Sequence, residues 1–281
     1  MTQSAGNPAP QPWPWRPAPA IAVSLLLHAA AVATLVASPG LWAWLIGGLA
    51  ANHLLLIAAV LWPRGRILGP NLVRLPAAAA ARNEISLTFD DGPDTEVTLQ
   101  VLDLLDRYQV QGSFFCVGEK AAAHPEVVRE IARRGHSVEN HSYRHSNAFA
   151  FYGLSRLRRD VESTQAVIAG ICGQPPLYFR APMGLRSPLL DPVLAGCGLH
   201  YVSWTRRGYD ATIRDAESVL QRLAGALAAG DILLLHDSGR SRTRDGVPVV
   251  LAVLPKLLKR MREQGLKSVT LARALGNGPA G

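Results

Sequence analysis

The sequence predicts an α/β fold built on a parallel sheet, behind an N-terminal pair of membrane-spanning helices. Three observations predict it. Strand and helix patterns alternate strictly from about residue 83 to residue 275. Several strands end in polar side chains that a parallel sheet gathers along one edge. Two uncharged apolar runs, each close to the ~20 residues that cross a ~30 Å hydrocarbon core, come before the first strand. The alternation leaves open whether the sheet closes into a barrel or is doubly wound.

The apolar runs come first in the chain. Residues 1–19 are rich in Pro and Ala and are expected to be a disordered leader. Ala20 to Ala37 is the first run, Ser38-Pro39-Gly40 makes a tight turn, and Leu41 to Trp62 is the second. Residues 20–62 therefore read as a transmembrane hairpin. Trp42, Trp44 and Trp62 lie where interfacial aromatics belong, and His28 and His53 read as hydrogen-bonding partners between the two helices. A cleavable signal peptide competes for the first run, but its leader and cleavage context are poor and the second run would still anchor the chain. Arg16 lies before the hairpin and Arg64, Arg66 and Arg74 after it, while the turn is uncharged. The positive-inside rule then puts both flanks, and the rest of the chain with them, on the cytoplasmic side of the inner membrane.

Residues 63–82 read as a linker, and the soluble domain as 83–275. Ile85, Leu87 and Phe89 alternate with Ser86 and Thr88 as the first strand, which ends in Asp90-Asp91-Gly92-Pro93. Val97, Val101, Leu104, Leu105 and Tyr108 recur at helical spacing. Ser113–Val117 is the second strand, Pro125–Arg134 a helix stopped by Gly135, and Ser137–Glu139 a short strand before His141 and His145. Leu154–Ile171 is helical, Leu177–Phe179 is a strand ending at Arg180, and a helix near Pro188–Ala195 precedes the strand Leu199–Trp204. Asp215–Ala228 is helical, Asp231–His236 is a buried strand, Val249–Gln264 the last helix and Ser268–Leu271 the last strand.

The 281 residues are 48% hydrophobic and carry a formal net charge of +8, nearly all of the basic residues being Arg. Such a surface suits acidic lipid, phosphorylated substrates or nucleic acid, but no interleaved aromatic-basic module is present, which ranks nucleic acid lowest. Cys116, Cys172 and Cys197 lack metal-type spacing and read as core thiols.

The strand ends carry the chemistry. Asp90 and Asp91 are adjacent carboxylates that repel one another unless they are solvated, as in a plain turn, or compensated by a cation or base. His141 and His145 are four apart, so on a helical turn both rings share a face; with one of the two carboxylates they make a three-ligand zinc-type site that leaves a position for water. His236 follows an apolar strand beside Asp237, a placement that favours acid-base work over a satisfied core histidine. Arg180 at another strand end is placed to pair with Asp90. His124, His136 and His200 read as structural.

Together these residues resemble the polysaccharide deacetylases, the NodB-homology domain of carbohydrate esterase family 4, over about residues 83–275. Thr88-Phe-Asp-Asp-Gly92, His141-Ser-Tyr-Arg-His145, Arg180-Ala-Pro-Met-Gly184 and Leu235-His236 match the first, second, third and fifth family motifs, in that order. The resemblance implies a distorted (β/α) barrel and metal-dependent removal of N-acetyl or N-formyl groups from amino sugars. It implies that Asp91, His141 and His145 bind a divalent metal, usually zinc, and that Asp90 is the general base, held by Arg180. It further implies that His236 is the acid and that the Met183 backbone N–H is an oxyanion donor.

The fourth motif departs from the pattern. In Trp204-Thr-Arg-Arg-Gly-Tyr-Asp-Ala211, Arg207 stands at the first Asp position and Ala211 replaces the second Trp, while Asp210 remains. The acidic partner of His236 is thereby left unassigned, and Trp204, Arg207 and Asp210 are expected as substrate contacts. Arg206 or Arg207 is placed to meet a phosphate if the substrate is a lipid-linked saccharide rather than a plain glycan. Two alternatives remain: an envelope-facing peptidoglycan or exopolysaccharide deacetylase with reversed topology, and an inactive glycan-binding domain.

Overall fold

The computed structural model describes residues 11–276, so the first part of the expected leader lies outside the described residues. Residues 11–18 form no helix or strand, but Trp13 stacks on His200 with ring centroids 4.9 Å apart. Helix α1 (Pro19–Ala37) and helix α2 (Trp42–Val60) follow, joined by a 3-10 turn at Pro39–Leu41. Their side chains face mostly outward, with Leu26, Val36, Trp44 and Leu55 among the most exposed. Asn52 donates to Ser24 Oγ across the pair at 2.9 Å. His28 and His53 meet ring edge to ring face at 5.2 Å, and each bonds a carbonyl of its own helix. The hydrogen bond between the helices is thus made by Asn52 and Ser24, where the sequence pointed to the histidines.

Eight parallel strands form a curled, incompletely closed barrel: β1 (Glu84–Asp90), β2 (Gly112–Cys116), β3 (Ser137–Asn140), β4 (Tyr178–Phe179), β5 (His200–Tyr201), β6 (Arg206–Arg207), β7 (Ile232–His236) and β8 (Lys267–Ser268). Their order is β5-β4-β3-β2-β1-β7-β6, with β8 beside the start of β1. The connecting helices are α3 (Ala77–Ala81), α4 (Val97–Arg107), α5 (Gly118–Ala123), α6 (Pro125–Arg133), α7 (Leu154–Cys172), α8 (Leu190–Cys197), α9 (Ala216–Ala224), α10 (Val249–Glu263) and α11 (Leu271–Ala274). Strand alternation divides β1 between two environments. Ile85, Leu87 and Phe89 pack into a core with Val101 and Leu105 of α4 and Val253 and Leu257 of α10. On the other face Thr88 and Asp90 meet Arg180 inside the barrel. Register then fixes the site, because Asp90 lies level with His236 on β7 and Phe115 on β2.

The segment expected as a linker is part of the domain. The barrel is open between β5 and β6, and residues 71–75 fill that gap: Leu72 bridges Val202, and Arg74 bridges Asp231. Thr205 Oγ1 donates to Val73 O at 2.7 Å and Ser203 Oγ to Asn71 Oδ1 at 2.8 Å. Leu68, Leu75 and Ala79 are buried. An Ala-rich run read as a spacer for want of amphipathic pattern, but small side chains are what let α3 lie close against the sheet. Removing residues 66–82 is therefore expected to cost several kcal/mol, at about 1.5–3 kcal/mol for each buried Leu lost. Urea unfolding of an 83–281 chain beside a 66–281 chain measures the difference.

Two further elements differ from expectation. The region read as one strand from Leu199 to Trp204 is the short β5, and a separate strand, β6, lies in the fourth motif. The last expected strand is β8 followed by α11, whose Thr270 caps the helix by accepting from Arg273 N. Cys116, Cys172 and Cys197 are free thiols, the first buried and the others half-buried.

Candidate active site

The site collects at the C-terminal edge of the sheet, where β1 gives way to a tight turn. Asp91 takes a left-handed conformation (φ 72°), which turns its carboxylate into the barrel mouth beside that of Asp90. Both are buried. Lys120 Nζ donates to Asp91 O at 2.7 Å and holds the turn from α5. Gly92 permits this close approach, since a Cβ there would lie 2.7 Å from Asp237 Cγ. Gly92→Ala is expected to displace the turn and cost about 1–3 kcal/mol, read as a lowered Tm.

His141 and His145 do come together, with ring centroids 4.8 Å apart, but not on a helical turn. The segment is a loop, in which Ser142 (φ 64°) and His145 (φ 48°) are left-handed. Ser142 N–H is taken by Asn140 Oδ1 and His145 N–H by Ser142 Oγ. His141 Nδ1 donates to Arg180 O at 2.8 Å, which leaves its Nε2 facing the carboxylates, 3.4 Å from Asp91 Oδ1 and 3.8 Å from Asp90 Oδ2. His145 Nε2 is 3.0 Å from the same Asp91 oxygen. Asp91, His141 and His145 thus each offer one ligand atom, all within 4.8 Å of one another. Burial works against ionising Asp91, yet the two imidazoles hold its carboxyl well below the usual carboxylate range.

Arg180 is fully buried, with a hydrogen-bond partner at each of its three nitrogens. Its guanidinium donates to Asp90 Oδ1 at 2.6 Å, Thr88 Oγ1 at 2.9 Å, Ser203 O at 2.9 Å and Val202 O at 3.3 Å, and it lies 4.1 Å over the Phe115 ring. A buried charge satisfied in this way fixes the orientation of its partner. Beyond it the chain turns through Met183, left-handed at φ 57° and at the rim of the cleft.

His236 faces Asp90 from the end of β7. The carboxylate that supports it is not its neighbour Asp237 but Asp210: Oδ1 is 2.8 Å from His236 Nδ1, and Oδ2 accepts from His236 N at 2.7 Å. The fourth motif, though altered, supplies His236 with an acid. Asp210 has both oxygens engaged below the cleft, whereas the sequence placed it among substrate contacts. Burial lowers the His236 pKa, but the charge and hydrogen bond of Asp210, with Asp90 and Asp91 beyond, raise it overall to about 9. Asp237 accepts from Thr98 Oγ1 at 2.6 Å, and burial pushes its carboxyl up to about 7.

Of the two candidate arginines, Arg206 is bound to Asp231 at 2.6 Å and points away from the cleft. Arg207 lines it, with its guanidinium carbon 5.2 Å from the Trp204 ring and 4.8 Å from that of Tyr209. The cleft holds about 160 Å³ and is walled by Asp90, Asp91, His141, His145, Trp204 and His236, among others. Sequence reasoning missed Arg240, whose Nη1 is 3.9 Å from Asp91 Oδ2. Its only sequence signal is its place in the loop that leaves β7.

Comparison with known proteins identifies the family. The family model for polysaccharide deacetylase matches residues 77–202. A peptidoglycan-N-acetylglucosamine deacetylase of Bacillus cereus is 31% identical over 193 residues, 68% of this chain and 87% of that protein. A chitooligosaccharide deacetylase of Sinorhizobium fredii is 30% identical, covering 58% of this chain and 76% of its own. Among solved structures, the family 4 carbohydrate esterase of Streptomyces lividans superposes with a TM-score of 0.59 at 31% identity, over 66% of this chain and 91% of that one. The acetyl xylan esterase of Clostridium thermocellum, solved with a cobalt ion, does so with 0.61 at 29%, over 69% and 90%. Fold and site together place the chain among the hydrolases that remove acyl groups from carbohydrates. It belongs to the polysaccharide deacetylase family, the NodB-homology group of carbohydrate esterase family 4.

Proposed function

We propose that this chain is a membrane-anchored, metal-dependent N-deacetylase of amino sugars, acting on a glycan or a lipid-linked saccharide. The observation that carries the reading is the arrangement of Asp91, His141 and His145 beside Asp90, with His236 opposite. The donor set fits a divalent cation such as zinc. It offers two imidazoles and one carboxylate, and the Arg180 carbonyl, by taking Nδ1–H of His141, leaves Nε2 as the ligand atom. Bound there, the ion would polarise the acyl carbonyl and make water a better nucleophile at neutral pH.

The remaining steps fall to the side chains. Asp90, oriented by Arg180, takes a proton from the attacking water as its oxygen bonds the acyl carbon. The Met183 N–H donates to the oxyanion, an interaction worth about 3–4 kcal/mol in comparable sites. His236, kept protonated by Asp210, gives its proton to the sugar nitrogen as the C–N bond breaks, releasing acetate or formate and a free amine. Trp204 and Arg207 flank the sugar.

The two apolar helices support anchoring, and the arginines flanking them support a cytoplasmic catalytic domain at the inner membrane. The B. cereus relative is a peptidoglycan deacetylase, which favours the second reading, an outward-facing domain. Reporter fusions after residue 75 separate the two: activity of a cytoplasmic reporter supports the first. The whole reading is tested by metal content and amine release from full-length protein, on chitin oligosaccharides and on a lipid-linked amino sugar. We expect about one metal per chain, with activity lost after chelation and restored by zinc. A metal-free, inactive wild type would leave a glycan-binding domain.

A further inference from the structure

The exposed apolar side chains of the catalytic domain are not scattered. Among the described residues after α2, the large hydrophobics that stand exposed are Leu61, Trp62, Ile67, Phe151, Leu154, Met183, Leu189, Tyr209 and Val247. Leu61, Trp62 and Ile67 lie where the chain leaves α2. The other six all lie in loops, or at the first turn of helices, that follow the C-terminal ends of strands β3, β4, β6 and β7. Phe151, at the tip of the loop after β3, is 85% exposed. Isolated exposed hydrophobics need no account, but confinement to one edge of the barrel does.

Charge divides the same edge. Arg240, Arg242 and Arg244 are exposed in the loop after β7, with Arg144 after β3 and Arg214 after β6, against the exposed acids Asp215 and Asp245. The loop after β1 carries no exposed large hydrophobic and no base, and presents Asp94 and Glu96. The apolar, cationic side is the side on which α2 ends. Pro63 Cβ is 3.1 Å from where a Gly184 Cβ would stand, Arg64 donates to Thr205 O at 3.2 Å, and buried Arg186 donates to the carbonyls of Gly69 and Pro70 at 3.1 and 2.9 Å. The exit from α2 is thus packed on the loops after β4 and β5, against one wall of the cleft.

From this we infer that the rim of the cleft formed by the loops after β3, β4, β6 and β7 docks on the surface of an anionic lipid bilayer, so that the site receives its amino sugar from the membrane plane. The inference rests on the reading of α1 and α2 as membrane spans. A bilayer is the occupant that the rim fits. Apolar tips with arginines between them match the boundary between acyl chains and anionic headgroups, and the short, packed exit from α2 holds the rim at that boundary. The acidic loop after β1 is turned away from the bilayer, which leaves an entrance to the cleft on that side.

The test uses full-length protein in phosphatidylglycerol–phosphatidylcholine nanodiscs with nitroxide-labelled lipid. The background is Cys172→Ser with Cys197→Ser, which leaves Cys116 buried. A fluorophore is attached at a single cysteine in Phe151→Cys, Val247→Cys, Thr95→Cys, Gln264→Cys or Leu26→Cys. We expect strong quenching at 151, 247 and 26, and little at 95 or at 264, which lies at the opposite edge of the barrel. In Arg242→Gln with Arg244→Gln, docking should weaken about fivefold for each arginine removed. Turnover of a lipid-embedded substrate should fall with it, while a soluble chitin oligosaccharide is unaffected. Quenching at 26 but not at 151 or 247 overturns the docking and leaves the hairpin standing. No quenching at 26 overturns the hairpin, and the docking with it.

Discussion

Asp90→Asn is expected to lower kcat/KM by a factor of about 10²–10⁴ while leaving the metal content of the protein unchanged. The substitution keeps the shape of the side chain and an oxygen for Arg180, but it removes the basic carboxylate that would accept a proton from water. Asp90 lies outside the Asp91, His141 and His145 group, so the ligand atoms are untouched. His145→Ala should do the reverse and lose metal and activity together. Measuring both quantities on both variants separates a base from a ligand. If Asp90→Asn lost its metal as well, the division of labour between the adjacent aspartates would be wrong. The same variant leaves the fully buried Arg180 without its counter-ion, and an uncompensated buried charge costs about 3–5 kcal/mol. The retained amide oxygen, together with Thr88 Oγ1 and the carbonyls of Val202 and Ser203, should hold the loss toward the lower end.

What could be read in the sequence follows from how locally each feature is encoded. β1 was legible because its alternation is strict and its ending, two carboxylates before Gly-Pro, is unusual. The gathering of Asp90, Asp91, His141, His145, Arg180 and His236 was legible because a parallel sheet brings strand ends to one edge whatever the details between them. The pairing of the histidines was anticipated for the wrong reason. Their spacing of four suggested a helix, whereas left-handed residues in a loop bring the rings together. The plug at residues 71–75 and the buried α3 were not legible. Neither has a periodic apolar face; the plug is held by Val202 and Asp231, more than a hundred residues away, and Ala79 of α3 lies in a core with the distant Tyr178, Val202 and Ile232. Nor was Asp210. Its role depends on the path of a non-regular loop that brings it 26 residues back beneath His236.

That pairing leads to the second large effect, a pH profile. For His236 to protonate a leaving amine it must hold its proton at working pH, and an unpaired buried histidine would lose it more readily than one in water. Here burial acts first and downward, but Asp210 outweighs it and the imidazole titrates at about 9. The basic limb of kcat/KM for the wild type should therefore fall as pH rises through about 9. In Asp210→Asn the largest raising influence is removed, while the burial and the weaker pull of Asp90 and Asp91 remain. The limb should move to lower pH, so that activity at pH 8 falls several-fold while activity at low pH is affected less. His236→Ala should lose the limb altogether and about 10²–10⁴ in rate at every pH. The same linkage acts on stability. Because the folded pKa lies above the ordinary 6.5, the contribution is full below pH 6.5 and is lost as pH rises through about 9. It amounts to about 3 kcal/mol, from 1.36 kcal/mol per pKa unit. Urea unfolding between pH 6 and 10 should show this decline in the wild type and not in Asp210→Asn. If the two proteins lost stability in parallel over that range, Asp210 would not be the group that charges His236, and the acid would have to be sought elsewhere in the cleft.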